Sequence, residues 1–217
     1  MPSRTPETVA VLVGGAAVDG AVCRHLDAVD YVIAADSGLY AARRLDLPVD
    51  LLVGDLDSID EADIAGATFE IDRHPRAKDQ TDIVLALDRA RELRPHRVVV
   101  VSGGGGRLDH ALTNLLVLAA PAYAAMQVDA YVGGAEVAVV RTRRDLEGPP
   151  GRLLSLLAVG GPAHGVTTTG LRYELRGDVL HALSSRGVSN EFVGGPASVR
   201  LRSGVLLCIQ PGEEEPA

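Results

Sequence analysis

The sequence predicts an α/β N-terminal domain with a mainly parallel sheet, followed by an all-β antiparallel sandwich as the C-terminal domain. Three observations carry this. In the first half, continuous apolar runs alternate with stretches of helical period. Uninterrupted apolar strands belong to a parallel sheet covered on both faces. In the second half, short β-type runs are separated by glycine-containing turns and show no helical period. Aspartate marks the same division, occurring 15 times from Asp19 to Asp109 and three times afterwards.

Along the first half, the apolar run 9–13 stops at Gly14-Gly15. Run 31–35 ends at Asp36-Ser37-Gly38 and leads into a helix over 39–45. Run 51–53 ends at Gly54-Asp55. Segment 82–93 carries Ile83, Ala86, Leu87 and Ala90 at the i, i+3, i+4, i+7 positions of one helix face. Asp79 precedes it as the expected N-cap, with Asp82 three residues on in the manner of a capping box. Run 97–101 ends in Ser102 and four glycines, with a helix expected over 108–120.

In the second half, run 152–159 closes at Gly160-Gly161-Pro162. Segments 173–176 and 179–183 flank Gly177-Asp178, a hairpin turn signal. Val199 and Leu201 alternate with Arg200 and Arg202, and Ser203-Gly204 turns the chain into 205–209. The boundary is expected between 123 and 145, at the 141–151 loop or slightly before, dividing the chain into domains 1–135 and 136–217. The acidic, proline-flanked tail 211–217 is expected to be disordered.

Composition removes several function classes. The 217 residues are 47% hydrophobic and 23% charged, which is globular rather than disordered. A formal net charge of −8 opposes general nucleic-acid binding, and 3% aromatics without tryptophan leave few stacking platforms. Cys23 and Cys208 lie far apart with no CxxC spacing, so neither a disulfide framework nor a zinc site is expected. The start MPSRTPE lacks an apolar leader core, and no run reaches the ~20 apolar residues of a membrane helix. The expectation is a cytoplasmic protein that binds neither membrane nor nucleic acid.

The chemistry gathers where a parallel sheet binds its ligand, beyond the carboxyl ends of strands. Asp36, the pair Asp55 and Asp57 in GDLDS, and the turn SGGGGRLDH all fall there. In an extended segment Asp55 and Asp57 point the same way, a spacing for one or two hard cations such as Mg²⁺. At ~5 Å and an effective dielectric of ~20, a carboxylate repels a phosphate by about 3 kcal/mol. An acidic pocket beside a glycine loop therefore implies either a metal or no phosphate at all, and the GDLDS pair taken alone also reads as a turn.

Other site types lack their residues. No GxxxxGK[ST] loop is present, and no GxGxxG with a later acidic residue. LLVGDLDS resembles an aspartyl phosphatase strand end, but Lys78 is the only lysine and no later acidic pair ends a strand. The histidines are scattered, and no serine sits in a G-x-S-x-G elbow.

Taken together, AADSGLYAARRL, VGDLDSI, KDQTDIVLALDRA and GGGGRLDHALTNL stand in an order similar to that of the thiamine pyrophosphokinase family. TTTGLRYEL and SSRGVSNEF continue the likeness, which spans roughly residues 9–210. The resemblance implies pyrophosphoryl transfer from ATP to the hydroxyl of thiamine with release of AMP, Mg²⁺ as cofactor, and a homodimer with active sites at the subunit interface. By motif, Asp55, Asp57 and Asp82 correspond to metal-binding carboxylates, with Asp36 and Asp109 completing the acidic site. Lys78, Gln80, Thr81 and Arg107 correspond to nucleotide contacts, with Gly104, Gly105 and Gly106 giving close backbone approach. Arg107 and Lys78 would stabilise charge as AMP leaves, and Asp82 and Asp109 are the candidates to accept the hydroxyl proton. Thr169, Leu171, Tyr173, Ser189 and Asn190 are the candidates to hold thiamine, and some relatives carry tryptophan in place of Tyr173. Pyrophosphorylation of another alcohol, such as a hydroxymethylpterin, and a non-catalytic thiamine diphosphate or nucleotide sensor are the alternatives.

Overall fold

The computed structural model describes residues 5–18 and 20–212. The chain divides into two compact units, one running to Val117 and including Ala125–Gly134, the other comprising Leu118–Ala124 and the chain from Ala135 onward.

The first unit holds β1 (Thr8–Val13), β2 (Tyr31–Ala35), β3 (Leu51–Gly54), β4 (Glu70–Arg73), β5 (Arg97–Ser102) and β6 (Gln127–Val132). They lie in the order β6-β5-β1-β2-β3-β4 and every pairing is parallel. Both faces are covered, as continuous apolar strands require. Ala10, Leu12, Val32, Val99 and Val101 share one cluster with Val22, Leu26 and Ala42. The alternate positions Val9, Val11, Ile33, Val98 and Val100 are also buried.

Four helices, α1 (Gly38–Arg44), α2 (Glu61–Ile64), α3 (Asp82–Glu92) and α4 (Leu108–Val117), belong to this unit. On α3, Ile83, Leu85, Ala86, Leu87 and Ala90 are buried, and the helix packs against β1, β2 and β3. Each of its larger apolar side chains contributes about 1.5–3 kcal/mol by leaving water. Helix α4 buries none of its residues, and Leu108, Leu112 and Leu116 form an exposed row at four-residue spacing.

The second unit is antiparallel throughout. Strands β7 (Ala135–Val140), β9 (Leu153–Ala158), β12 (Asn190–Glu191) and β14 (Leu206–Gln210) pair in the order β12-β9-β14-β7. Strands β8 (Arg143–Leu146), β10 (Ala163–Thr169), β11 (Arg176–Leu180) and β13 (Ala197–Arg200) pair in the order β11-β10-β13-β8. Leu154, Leu156 and Leu206 from the first set and Val166, Leu180 and Val199 from the second share one core cluster. Cys208 is buried in that cluster, whereas Cys23 is exposed.

Several local expectations are corrected. Gly177-Asp178 is not a hairpin turn but lies within β11, where the register against β10 shifts twice. The left-handed Gly177 (φ 82°) serves this irregularity, and its N–H donates to Thr167 Oγ1 at 3.1 Å. The 141–151 loop contains β8, an edge strand paired with β13. Helix 108–120 ends at Val117, because Ala120 is extended ahead of Pro121, where proline disfavours helical backbone. The N-cap of α3 is Thr81 rather than Asp79, which puts apolar Val84 at the third helical position, so no capping box forms. Of the tail expected to be disordered, 213–217 lie outside the described residues.

Candidate active site

Chain order fixes where a ligand crevice opens. The chain runs outward from β1 through β2, β3 and β4, then returns to place β5 on the other side of β1. The connections reverse between β1 and β5, the kind of switch point at which open α/β sheets bind ligands. At the carboxyl ends of these two strands lie glycine turns. Gly14 and Gly15 follow β1, and Gly103, Gly104, Gly105 and Gly106 follow β5.

The two turns are in contact. Ala16 N–H donates to Gly104 O at 2.9 Å, and Ser102 Oγ donates to Gly14 O at 3.1 Å. A Cβ on Gly103 would stand 1.8 Å from Ala16 O, so only glycine fits there. Gly104, Gly105 and Gly106 follow in left-handed conformation at φ 69°, 74° and 75°. Gly106 has open space around it, so its backbone is free for a close approach.

The carboxylates rise from the next two strand ends. Asp36 follows β2 with φ 45°, and its N–H donates to Val53 O at 2.9 Å. Gly54 ends β3 at φ 148°, where a Cβ would come within 3.2 Å of both Asp36 Cβ and Asp82 Oδ1. Asp55 and Asp57 are not extended, as the spacing argument supposed. Leu56 between them is left-handed (φ 62°) and buried, which folds the segment into a turn where Asp57 N–H donates to Asp55 Oδ1 at 3.3 Å.

Oxygens of Asp36, Asp55 and Asp57 lie within 4.8 Å of one another, a donor set suited to a hard cation. Asp36 is 9% exposed, and its Oδ1 is buried without a hydrogen-bond partner, which suits that oxygen to ligate a cation. Burial raises the Asp36 pKa, opposed by hydrogen bonds from Ser58 and the Ser37 backbone and reinforced by the charges of Asp82 and Asp55. Asp82 stands outside this set of three and is joined to it through Lys78, whose Nζ lies 2.9 Å from Asp55 Oδ2 and 3.1 Å from Asp82 Oδ1. The Lys78 hydrogen bond lowers the Asp55 pKa.

The remaining nucleotide candidates pair elsewhere or stand exposed. Gln80 Nε2 donates to Asp88 Oδ2 at 3.0 Å, and Thr81 is exposed at the α3 N-terminus with no side-chain cap bond. Arg107 and Asp109 are exposed and pair with each other, Nη2 to Oδ2 at 2.6 Å, which lowers the Asp109 pKa to about 2. Sequence reasoning passed over Gly14, Gly15, Ser58 and Arg76. The Ser58 hydroxyl donates to Asp57 Oδ1 at 3.1 Å, and Arg76 lies 3.0 Å from Asp57 Oδ2. A glycine pair directly after an apolar run was the available signal for the first two.

In the second unit, the five thiamine candidates fall into two facing segments, 169–173 and 189–193. Arg172 N–H donates to Glu191 O and Val193 N–H to Gly170 O, and a bridge joins Leu171 to Phe192. Leu171 is buried in the core cluster, while Thr169 Oγ1 and Ser198 Oγ are 2.9 Å apart. Ser189 is left-handed (φ 56°), with its N–H on Ser155 Oγ at 3.1 Å. Tyr173 is 59% exposed, with the Arg172 guanidinium 5.6 Å from its ring centre.

Comparison with known proteins adds the following. The family model described as "Thiamin pyrophosphokinase, catalytic domain" matches residues 22–130, and "Thiamin pyrophosphokinase, vitamin B1 binding domain" matches 139–206. The chain is 28% identical over 178 residues to "Thiamine pyrophosphokinase" of Bacillus subtilis (strain 168), covering 76% of this chain and 78% of that one. Among solved structures, thiamine pyrophosphokinase from Bacillus subtilis superposes with a TM-score of 0.82 at 24% identity, covering 95% of this chain and 100% of that one. The Candida albicans thiamin pyrophosphokinase superposes with a TM-score of 0.75 at 13% identity, covering 94% and 89%. With family models matched across both halves, the chain belongs to the thiamin pyrophosphokinase family.

Proposed function

We propose that this chain transfers the terminal pyrophosphoryl group of ATP to the hydroxyl of thiamine, giving thiamine diphosphate and AMP. The observation that carries this reading is the grouping of Asp36, Asp55 and Asp57 within 4.8 Å, in the same unit as the glycine turns at the β1/β5 switch point. No comparison favours a pterin alcohol or a non-catalytic sensor.

The catalytic, nucleotide-binding unit is residues 1–135 and the thiamine-binding unit 136–217, whose described residues fold as a sandwich. Its support is the core shared by the two antiparallel sheets. Mg²⁺ fits the trio of Asp36, Asp55 and Asp57, which would hold it, with Asp82, joined to the trio through Lys78, as the further carboxylate that the motif assigns to the metal. When bound, it neutralises phosphate charge. Gly104, Gly105 and Gly106 present backbone N–H groups to the phosphates, and Lys78, Gln80, Thr81 and Arg107 contact them. Arg107 and Lys78 stabilise the charge that develops on departing AMP. Asp82 and Asp109 remain the two candidates to take the thiamine hydroxyl proton.

Thr169, Leu171, Tyr173, Ser189 and Asn190 hold thiamine, with the Tyr173 ring offering its face to the cationic substrate. The chain works as a homodimer with active sites at the subunit interface. The exposed row Leu108, Leu112 and Leu116 supports this, since apolar surface of this kind marks an association site. A cytoplasmic location agrees with two free thiols.

The test is incubation with ATP, Mg²⁺ and thiamine, following products by chromatography with a metal-free control. Equal amounts of AMP and thiamine diphosphate, formed only with metal, are expected. ADP with thiamine monophosphate would refute the pyrophosphoryl step.

A further inference from the structure

The chain has 21 basic residues besides histidine, and Lys78 is its only lysine. That single ammonium sits between two candidate metal ligands. Its Nζ is 2.9 Å from Asp55 Oδ2 and 3.1 Å from Asp82 Oδ1, and the side chain is 13% exposed. An ammonium is a compact charge with three donors on a flexible stem, so it can bridge two carboxylates and swing away. A guanidinium can pair with the same two carboxylates, so the bridge depends on the charge.

Both oxygens of Asp55 are engaged in this arrangement, Oδ1 by the Asp57 N–H and Oδ2 by Lys78. Asp55 is also the residue that links the trio of Asp36, Asp55 and Asp57 to Asp82. A cation that takes the trio therefore meets the Lys78 charge on the same carboxylate. Lys78 donates to Asp55 and stands within ion-pair distance of Asp82, so one charge faces both carboxylates.

We propose that Lys78 is the resident counter-ion of the metal-free site, holding Asp55 and Asp82 until a divalent cation displaces it and frees its ammonium for the nucleotide phosphates. This inference rests on the metal site of the proposed function and assigns that site an order of events. Metal capture and release of Lys78 toward phosphate are one exchange, so the cation contact to the nucleotide is completed only after the metal has entered. The ammonium also limits the mutual repulsion of carboxylates packed this closely, which would otherwise strain the metal-free protein.

The test uses the full chain without nucleotide. Mn²⁺ binding is measured by the spin-resonance signal of the free ion for wild type, Lys78→Met and Lys78→Arg. Removing a competing charge should tighten Mn²⁺ binding in Lys78→Met by about fivefold or more, while Lys78→Arg stays near wild type. Unchanged or weaker binding in a folded Lys78→Met protein overturns the proposal, as does an absence of Mn²⁺ binding in all three.

A second measurement needs no variant. As the sole lysine, Lys78 is read directly by acetic anhydride labelling and peptide mass spectrometry, with the amino terminus as internal reference. Mn²⁺ should raise the labelling rate of Lys78 several-fold, whereas an unchanged or slower rate would mean the ammonium stays in place. Product chromatography is independent of both readouts. A working pyrophosphokinase with unmoved Lys78 refutes only this inference, and displaced Lys78 without thiamine diphosphate refutes only the reaction.

Discussion

The side-chain amide of Asn190 closes a two-bond ring with the backbone of Tyr173. It accepts from Tyr173 N–H at 3.0 Å and donates to Tyr173 O at 2.8 Å. At 4% exposure Asn190 has little contact with solvent, and its amide fixes the Tyr173 backbone whether or not it also meets a ligand. Asn190→Ala should cost about 1–3 kcal/mol of stability in urea unfolding, because Tyr173 N–H, Tyr173 O and Glu191 N–H all lose their partner. The KM for thiamine should rise while the KM for ATP stays level. Equal changes in both constants would show that Asn190 does not act through Tyr173.

Asp57 is the most exposed of the three clustered aspartates and pairs with exposed Arg76. Asp57→Asn should lower turnover by about 100-fold or more, while stability stays within about 0.5 kcal/mol of wild type. Paired steady-state and melting measurements check both. Unchanged AMP production by a folded variant would remove Asp57 from the site.

Asp36 carries charge where burial opposes it, so its pKa lies above the ordinary carboxylate value. The folded state then binds the proton more tightly than the unfolded one. The stability cost is absent below pH ~4 and develops as pH rises through the raised pKa. In the presence of a chelator, Asp36→Asn should melt above wild type at pH 7, and the two curves should converge toward pH 4. Activity should fall in the same variant, a trade of stability against function.

Asp63 titrates in the opposite sense. The Arg43 guanidinium donates to it at 2.7 Å and the Tyr40 hydroxyl at 2.9 Å, and these bonds lower its pKa. Its stabilisation is fully present above the ordinary carboxylate value and is lost as pH falls through the lowered one. Asp63→Asn should melt below wild type at pH 7, with the gap closing below pH ~4. A gap that persists in acid would mean the contribution does not depend on charge.

Gly103 and Gly106 separate two reasons for glycine. Gly103→Ala forces a Cβ to within 1.8 Å of the Ala16 carbonyl oxygen. It should cost about 1–3 kcal/mol and displace the β1 turn. Gly106→Ala has open space but keeps φ 75°, so about 1 kcal/mol of left-handed strain is expected. Urea unfolding of the two variants should rank them in that order, and the reverse order would refute the contact between the turns.

Legibility in the sequence follows burial. Runs 9–13, 31–35, 51–53 and 97–101 could be read because strands covered on both faces must be apolar throughout. Strand β4 (EIDR) went unread because it lies at an edge and its residues meet water. Gly177-Asp178 misled because the left-handed glycine that makes a hairpin turn also makes a bulge. Among the site residues, aspartates after strands were visible because a charge beside an apolar run needs explaining. The turn at Leu56 was not, since a leucine with positive φ leaves no mark in composition. Asn190 reads as a ligand by motif, and its grip on Tyr173 depends on two distant segments meeting.

The two cysteines give the molecule a built-in clock. Cys23 is open to reagent, while burial pushes the Cys208 thiol up to about 12 within the core shared by both antiparallel sheets. A chromogenic disulfide should therefore consume one thiol at once and the second only as the C-terminal unit opens. The slow phase times the opening of that unit alone, with no label introduced and no residue changed.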